Sequence, residues 1–176
     1  MISLKTDRLT LRAARLGDAD ELHPILSHAQ AMRYWSTLPH TSLQQTRDWL
    51  GSMIEIPAGE GEDFIVELGG RVIGKAGFYR FPEIGFILAP EHWGQGLASE
   101  ALAAVIARAF TTHELPQIVA DVDPRNAASL ALLGKFGFVQ TGYRERTYKL
   151  ADEWCDSADM ALEKSAWTVA HTARVP

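Results

Sequence analysis

The sequence predicts a mixed α/β fold, and three observations carry that expectation. Glu83 to Phe110 (EIGFILAPEHWGQGLASEALAAVIARAF) reads as an apolar strand, a glycine-bearing loop and a long amphipathic helix. Gln117 to Asp121 (QIVAD) is the next strand, so strand, helix and strand make one parallel, right-handed crossover. Phe64 to Leu68 and Val72 to Tyr79 flank Gly69-Gly70, a hairpin with a two-residue turn. Parallel and antiparallel pairing thus occur together in one short chain.

Taken in order, Leu9, Leu11 and Ala13 alternate with Thr10 and Arg12 as a half-buried strand. Asp18 to Ser27 and Ser42 to Ile54 each predict a helix, the second carrying Trp49, Leu50 and Met53 at helical spacing and ending at Pro57-Ala58-Gly59. Between them Met32 to Ser36 is aromatic and without a period. The hairpin follows, then the strand Ile84 to Leu88 between Pro82 and Pro90. Leu102, Val105, Ile106, Ala109 and Phe110 form the core-facing stripe of the long helix. After QIVAD, Asn126 to Phe136 is a short helix stopped by Gly137, a left-handed cap. Phe138 to Leu150 and Cys155 to Glu163 close the chain as an antiparallel pair. One domain over residues 1–165 is expected, with a loose tail at 166–176.

The length of 176 residues suits one domain, enough to bury roughly 70 % of the unfolded surface. Apolar residues at 47 % suit a packed core. A net charge of −5 with no basic block argues against nucleic-acid binding. Cys155 is the only cysteine, which excludes an internal disulfide and points to a reducing cytoplasm. No apolar signal region or membrane-length run is present. A soluble cytoplasmic protein, monomer or homodimer, is the expectation.

The loop Trp93-Gly94-Gln95-Gly96 precedes a helix whose free N–H groups and positive dipole end make an anion site. Leu97 and Ala98 stand where a Walker loop needs lysine and a hydroxyl residue. A dinucleotide fingerprint would need glycine at Ser99 and more strand–helix repeats than the chain holds. Gln95-Gly96-Leu97-Ala98 with Trp93-Gly94 before it resembles the coenzyme A pyrophosphate loop of the GNAT acetyltransferases, Arg/Gln-x-x-Gly-x-Gly/Ala. Trp93 departs from the Arg or Gln of that pattern, as in the branch resembling the ribosomal-protein (RimJ/RimL-like) acetyltransferases. The resemblance runs from about Arg8 to about Leu162. It implies a sheet splayed between its fourth and fifth strands, with acetyl-CoA in the gap as co-substrate and no metal.

On that resemblance, main-chain groups of Phe86, Ile87 and Leu88 pair with the pantetheine arm. Trp93 and Gly94 open the coenzyme A loop, and main-chain N–H groups of Gln95, Gly96, Leu97, Ala98 and Ser99 hold the pyrophosphate, with the Ser99 hydroxyl adding a bond. Asn126 matches the family asparagine that bonds the pantetheine, and equally reads as a helix cap. Leu133 stands where many relatives have the tyrosine that protonates the departing thiolate. The role then falls to Ser129, placed inward by helical spacing, or to water; Ser129 bonded back to its own helix is the plain alternative. Glu83 is the candidate base, through water, or else a solvated glutamate at the start of a strand. Alternation puts it on one face with Gly85 and Ile87, and Gly85 leaves room for a substrate. Tyr34, Trp35, Trp154 and Asp156 are the candidate acceptor wall, aromatics and a carboxylate suited to a cationic amine. Arg125 and Lys135 are either 3′-phosphate ligands or solvated charge. Glu91 and His92 are weaker base candidates, and Glu100 reads as a first-turn carboxylate favoured by the dipole.

The reading is an acetyl-CoA-dependent N-acetyltransferase in which an amine attacks the acetyl carbonyl directly. The acceptor is a protein N-terminus or a small amine. The rival is a non-catalytic coenzyme A sensor on the same fold, favoured by Leu133 and opposed by Glu83, Asn126 and Ser129.

Overall fold

The structure, a computed structural model, describes residues 2–167. The chain divides into two compact units, Met1–Val105 and Ile106–Pro176. Both mix helix and strand, as the sequence predicts.

Among the described residues the first unit holds five strands and two complete α-helices. The strands are β1 (Ser3–Lys5), β2 (Leu9–Arg12), β3 (Glu62–Leu68), β4 (Arg71–Arg80) and β5 (Glu83–Leu88), each antiparallel to its sequence neighbour. β1 is the one strand the sequence reading missed, because three residues are too few to show a period. It makes the predicted fourth strand β5. The β3–β4 turn puts Gly69 at φ 57° and Gly70 at φ 81°, the mirror-image turn that only glycine adopts without strain. The helices are α1 (Ala19–Leu26) and α2 (Leu43–Ile54). Ser42 starts α2 by accepting the Gln45 N–H at 3.2 Å. Leu22, Leu26, Leu50 and Met53 from these helices bury against Ile65 and Ile87 of the strands. Truncating any of those leucines to alanine costs about 2–5 kcal/mol. That packing fixes the sheet face carrying Gly85.

α3 (Leu97–Thr111) begins in the first unit and ends in the second. Its stripe Leu102, Val105, Ile106, Ala109 and Phe110 is buried throughout.

In the second unit β6 (Gln117–Val122) and β7 (Val139–Leu150) both pair antiparallel with β8 (Glu153–Glu163), which is therefore central. α4 (Ala127–Lys135) ends at Gly137, φ 92°, with the Phe138 N–H on the Leu133 carbonyl at 3.3 Å, the expected left-handed cap. Trp167, expected in the loose tail, packs its ring 5.2 Å from that of Phe110. The rest of that predicted tail, 168–176, lies outside the described residues. Among the described residues no helix is long and apolar enough to cross a membrane.

Candidate active site

The loop after β5 is held by its own side chains. A 3-10 turn at Pro90–His92 carries the chain from β5 to Trp93. The Trp93 indole donates to the Leu88 carbonyl at 2.8 Å, and the Gln95 amide donates to the Glu91 carbonyl at 2.8 Å. Both side chains thus face the loop's own backbone, leaving main-chain groups to meet any ligand. Gly94 and Gly96 have φ of 71° and 77°, a conformation L side chains rarely adopt. No heavy atom lies within 4 Å of the Cβ position of Gly94. The first helical bond of α3 is from Glu100 N–H to the Gly96 carbonyl at 3.0 Å. The N–H groups of Leu97, Ala98 and Ser99 therefore precede any intrahelical partner. Shape, dipole and open space together suit a diphosphate.

Sequence reading missed what braces this loop from below. Glu100 takes the Thr6 hydroxyl at 2.5 Å and the Arg8 N–H at 2.8 Å on one oxygen, and Arg8 Nε at 2.7 Å on the other. Burial pushes the Glu100 carboxyl up, but the Thr6 and Arg8 hydrogen bonds together hold it below its ordinary value. Arg8 and Glu100 lie 92 positions apart, so no local pattern signals them.

Along β5, Phe86 is half-buried while Ile87 and Leu88 are buried, and they pair with Ala76, Lys75 and Gly74. Glu83 is exposed at the strand's first position, opposite Arg80. The room expected above Gly85 is filled, which corrects the sequence reading. Lys75 Nζ lies 3.5 Å and the Trp35 ring 3.9 Å from the Cβ position of Gly85. Lys75 donates to Asp63 Oδ2 at 2.8 Å, with both side chains almost fully buried, and its ammonium stands 5.3 Å from the Trp35 ring centroid. Gly77 and Gly85 face each other across β4 and β5, and their missing side chains let this pair lie on the sheet. Burial pushes the Asp63 carboxyl up, against the pull of Lys75. A lysine inside the apolar run VIGKAGFY was the signal that could have found it. Tyr34, half-buried, has the Arg33 guanidinium 5.2 Å from its ring centroid.

In the second unit Asn126 caps α4, its Oδ1 accepting the Ser129 N–H at 3.1 Å. The cap reading therefore holds. Ser129 is half-buried, on the same face of α4 as the fully buried Leu133. Arg125 is committed to Asp123, at 2.5 and 2.9 Å, and to Glu153, so its guanidinium is not simply solvated charge. Lys135 is exposed in the last turn of α4. Trp154 and Asp156 share a face of β8, with buried Cys155 on the other. Asp156 accepts the Tyr143 hydroxyl at 2.6 Å and the Arg146 N–H at 2.8 Å, which hold its carboxyl below the usual range. The Arg146 guanidinium lies 4.7 Å from the Trp154 ring centroid. A cation thus already rests on the predicted aromatic, supplied by the chain itself.

Comparison with known proteins gives this arrangement relatives. Residues 8–139 match the family described as Acetyltransferase (GNAT) domain. The uncharacterized N-acetyltransferase p20 of Bacillus licheniformis is 38 % identical over 152 residues, covering 81 % of this chain and 85 % of that protein. The crystal structure of a GNAT-family acetyltransferase from Bacillus anthracis superposes with a TM-score of 0.82 at 25 % identity, covering 93 % and 99 % of the two chains. Spermidine N-acetyltransferase from Vibrio cholerae, solved with CoA and spermine, gives 0.80 at 25 % identity over 93 % and 99 %.

Proposed function

The chain belongs to the GNAT acetyltransferase family, and from that premise we propose that it moves an acetyl group from acetyl-CoA to a primary amine by direct attack. The observation that carries the reading is the loop from Trp93 to Ser99. Two glycines at positive φ open onto the start of a fifteen-residue helix, with the loop's polar side chains turned back to brace it. Loop N–H groups hold the pyrophosphate in this proposal, and Phe86 to Leu88 carry the pantetheine arm along β5. The order Trp93-Gly-Gln-Gly-Leu-Ala-Ser-Glu100 supports the RimJ/RimL-like branch. A cytoplasmic location and a monomer or homodimer complete the proposal.

Each residue's part follows from its chemistry. Holding amine and thioester together is worth up to about 7–11 kcal/mol in well-oriented cases. A main-chain N–H near Ile87 steadies the developing oxyanion. Glu83, exposed at the mouth of β5, draws the amine proton through water. On the second unit, Asn126 bonds the pantetheine while capping α4, and the Ser129 hydroxyl protonates the departing thiolate. Tyr34 and Trp35 recognise the acceptor on the first unit; taken by itself, the second unit offers the aromatic face of Trp154 and the carboxylate of Asp156 for the same purpose. The acceptor is a protein α-amine or a small amine, and the spermidine activity in the name of the Vibrio cholerae relative supports the latter.

The test is acetyl transfer to a panel of amines, followed by free thiol, for wild type and Glu83→Gln. A lysine-type amine costs about 4–5 kcal/mol to deprotonate at neutral pH, and an α-amine about 1 kcal/mol. The variant should lose most rate on high-pKa acceptors and recover as pH rises. Equal loss for both amine types at every pH assigns Glu83 to binding or scaffold. Leu133, fully buried at the position where the family resemblance implies a tyrosine, favours a rival reading as a non-catalytic coenzyme A sensor. Binding without thiol release for any amine selects that rival.

A further inference from the structure

Arg8 has no part in the chemistry above, yet its guanidinium spans the loop's foundation. Nε donates to Glu100 at 2.7 Å, Nη1 donates to the Gln95 carbonyl at 2.9 Å, and Nη2 lies 3.5 Å from the Cβ position of Gly96. A trans peptide sets its C=O and N–H on opposite sides. Holding the Gln95 carbonyl toward Arg8 therefore turns the Gly96 N–H away from Arg8. That peptide has a glycine at φ 77° on its C-terminal side and Gly94 at φ 71° one residue before it, a segment with wide conformational freedom when unbraced. Glu100 sets the arginine in turn, with the main-chain N–H of Arg8 and the Thr6 hydroxyl fixing the carboxylate.

We propose that Arg8 is the positioning residue of the loop, fixing the Gln95–Gly96 peptide so that the Gly96 N–H joins those of Leu97, Ala98 and Ser99 toward a diphosphate. The inference rests on the coenzyme A reading and names the part of that molecule Arg8 serves. Its contact is to the Gln95 carbonyl, beside Gly96, so it acts at the pyrophosphate and not at the 3′-phosphate. A guanidinium is required because one planar fork must reach a carboxylate and a carbonyl together. A lysine ammonium carries its three donors on one nitrogen and lacks the fixed fork that spans the two acceptors.

Titration calorimetry with acetyl-CoA and with acetyl-dephospho-CoA, which differs only in lacking the 3′-phosphate, tests this on wild type, Arg8→Ala and Arg8→Lys. Arg8→Ala should weaken both ligands by the same factor, on the order of tenfold, and Arg8→Lys should recover only part of it. In turnover, the KM for acetyl-CoA should rise by more than kcat falls. A folded Arg8→Ala with unchanged affinity overturns the inference. Weakening confined to acetyl-CoA also overturns it, by moving the contact to the 3′-phosphate, and full rescue by lysine overturns the fork. Wild-type protein that binds neither ligand overturns the coenzyme A reading itself, and this inference with it.

Discussion

Lys75–Asp63 and Arg8–Glu100 are ion pairs of nearly equal length and opposite setting. The first is 2.8 Å long with side chains 3 % and 2 % exposed; the second is 2.7 Å long with 47 % and 16 %. Distance therefore does not set what each is worth. Charges near water gain little from pairing, about 0–1 kcal/mol. A buried pair is costly to form, and leaving one partner alone is costlier still. The buried pair belongs to the architecture of β3 and β4, whereas the exposed one stands beside the proposed ligand loop.

The largest expected effect comes from breaking the buried pair on one side. Lys75→Met strands the Asp63 carboxylate and should destabilise the fold by about 3–5 kcal/mol in denaturant unfolding. Lys75→Met combined with Asp63→Leu should recover most of that loss, since two apolar groups replace two charges. A single variant costing under about 1 kcal/mol would erase the distinction between the pairs.

Ser129 sits between these extremes, half-buried on α4. If its hydroxyl gives the thiolate its proton, Ser129→Ala should lower kcat on the order of a hundredfold with acetyl-CoA affinity nearly intact. A rate within about twofold of wild type returns that role to water.

The smallest effect is the pH dependence of the exposed pair. The Glu100 carboxyl is held below its ordinary value in the folded protein. Its contribution to stability is therefore present above about pH 4.5 and is lost as pH falls through the lower folded value. Melting curves of wild type should show a steeper acid decline than those of Glu100→Gln, by no more than about 1 kcal/mol. Coincident declines would mean that Glu100 is not braced in solution as it is here.

The same contrast explains what was legible in the sequence. Features written within a few residues were readable: the Gly69-Gly70 turn, the caps at Asn126 and Gly137, the stripe of α3 and the glycines of the loop. Each follows from local backbone physics, where a φ sign or a helical period leaves a mark. Features made by tertiary pairing were not. Arg8 meets Glu100 across 92 positions, and Arg146 reaches the Trp154 ring only through a bulged hairpin. Gly85 was read as open because strand alternation gives a face but not its occupant. Lys75, from the neighbouring strand, fills that space. Ser129 and Leu133 share one face of α4 by i, i+4 spacing, as the sequence predicts, but spacing does not say how far that face is covered: Leu133 is buried and Ser129 half-buried.

The central claim is that the loop from Trp93 to Ser99 holds acetyl-CoA, and Gly96→Val tests it most directly. A β-branched residue at φ 77° is strained and must reshape the loop. The loop is exposed around Gly96, so the core should keep its fold, checked by circular dichroism and melting. Calorimetry should then show wild type binding acetyl-CoA and the folded variant weakened by at least about tenfold, a loss of about 1.4 kcal/mol. Unchanged affinity in a folded Gly96→Val protein would contradict the account.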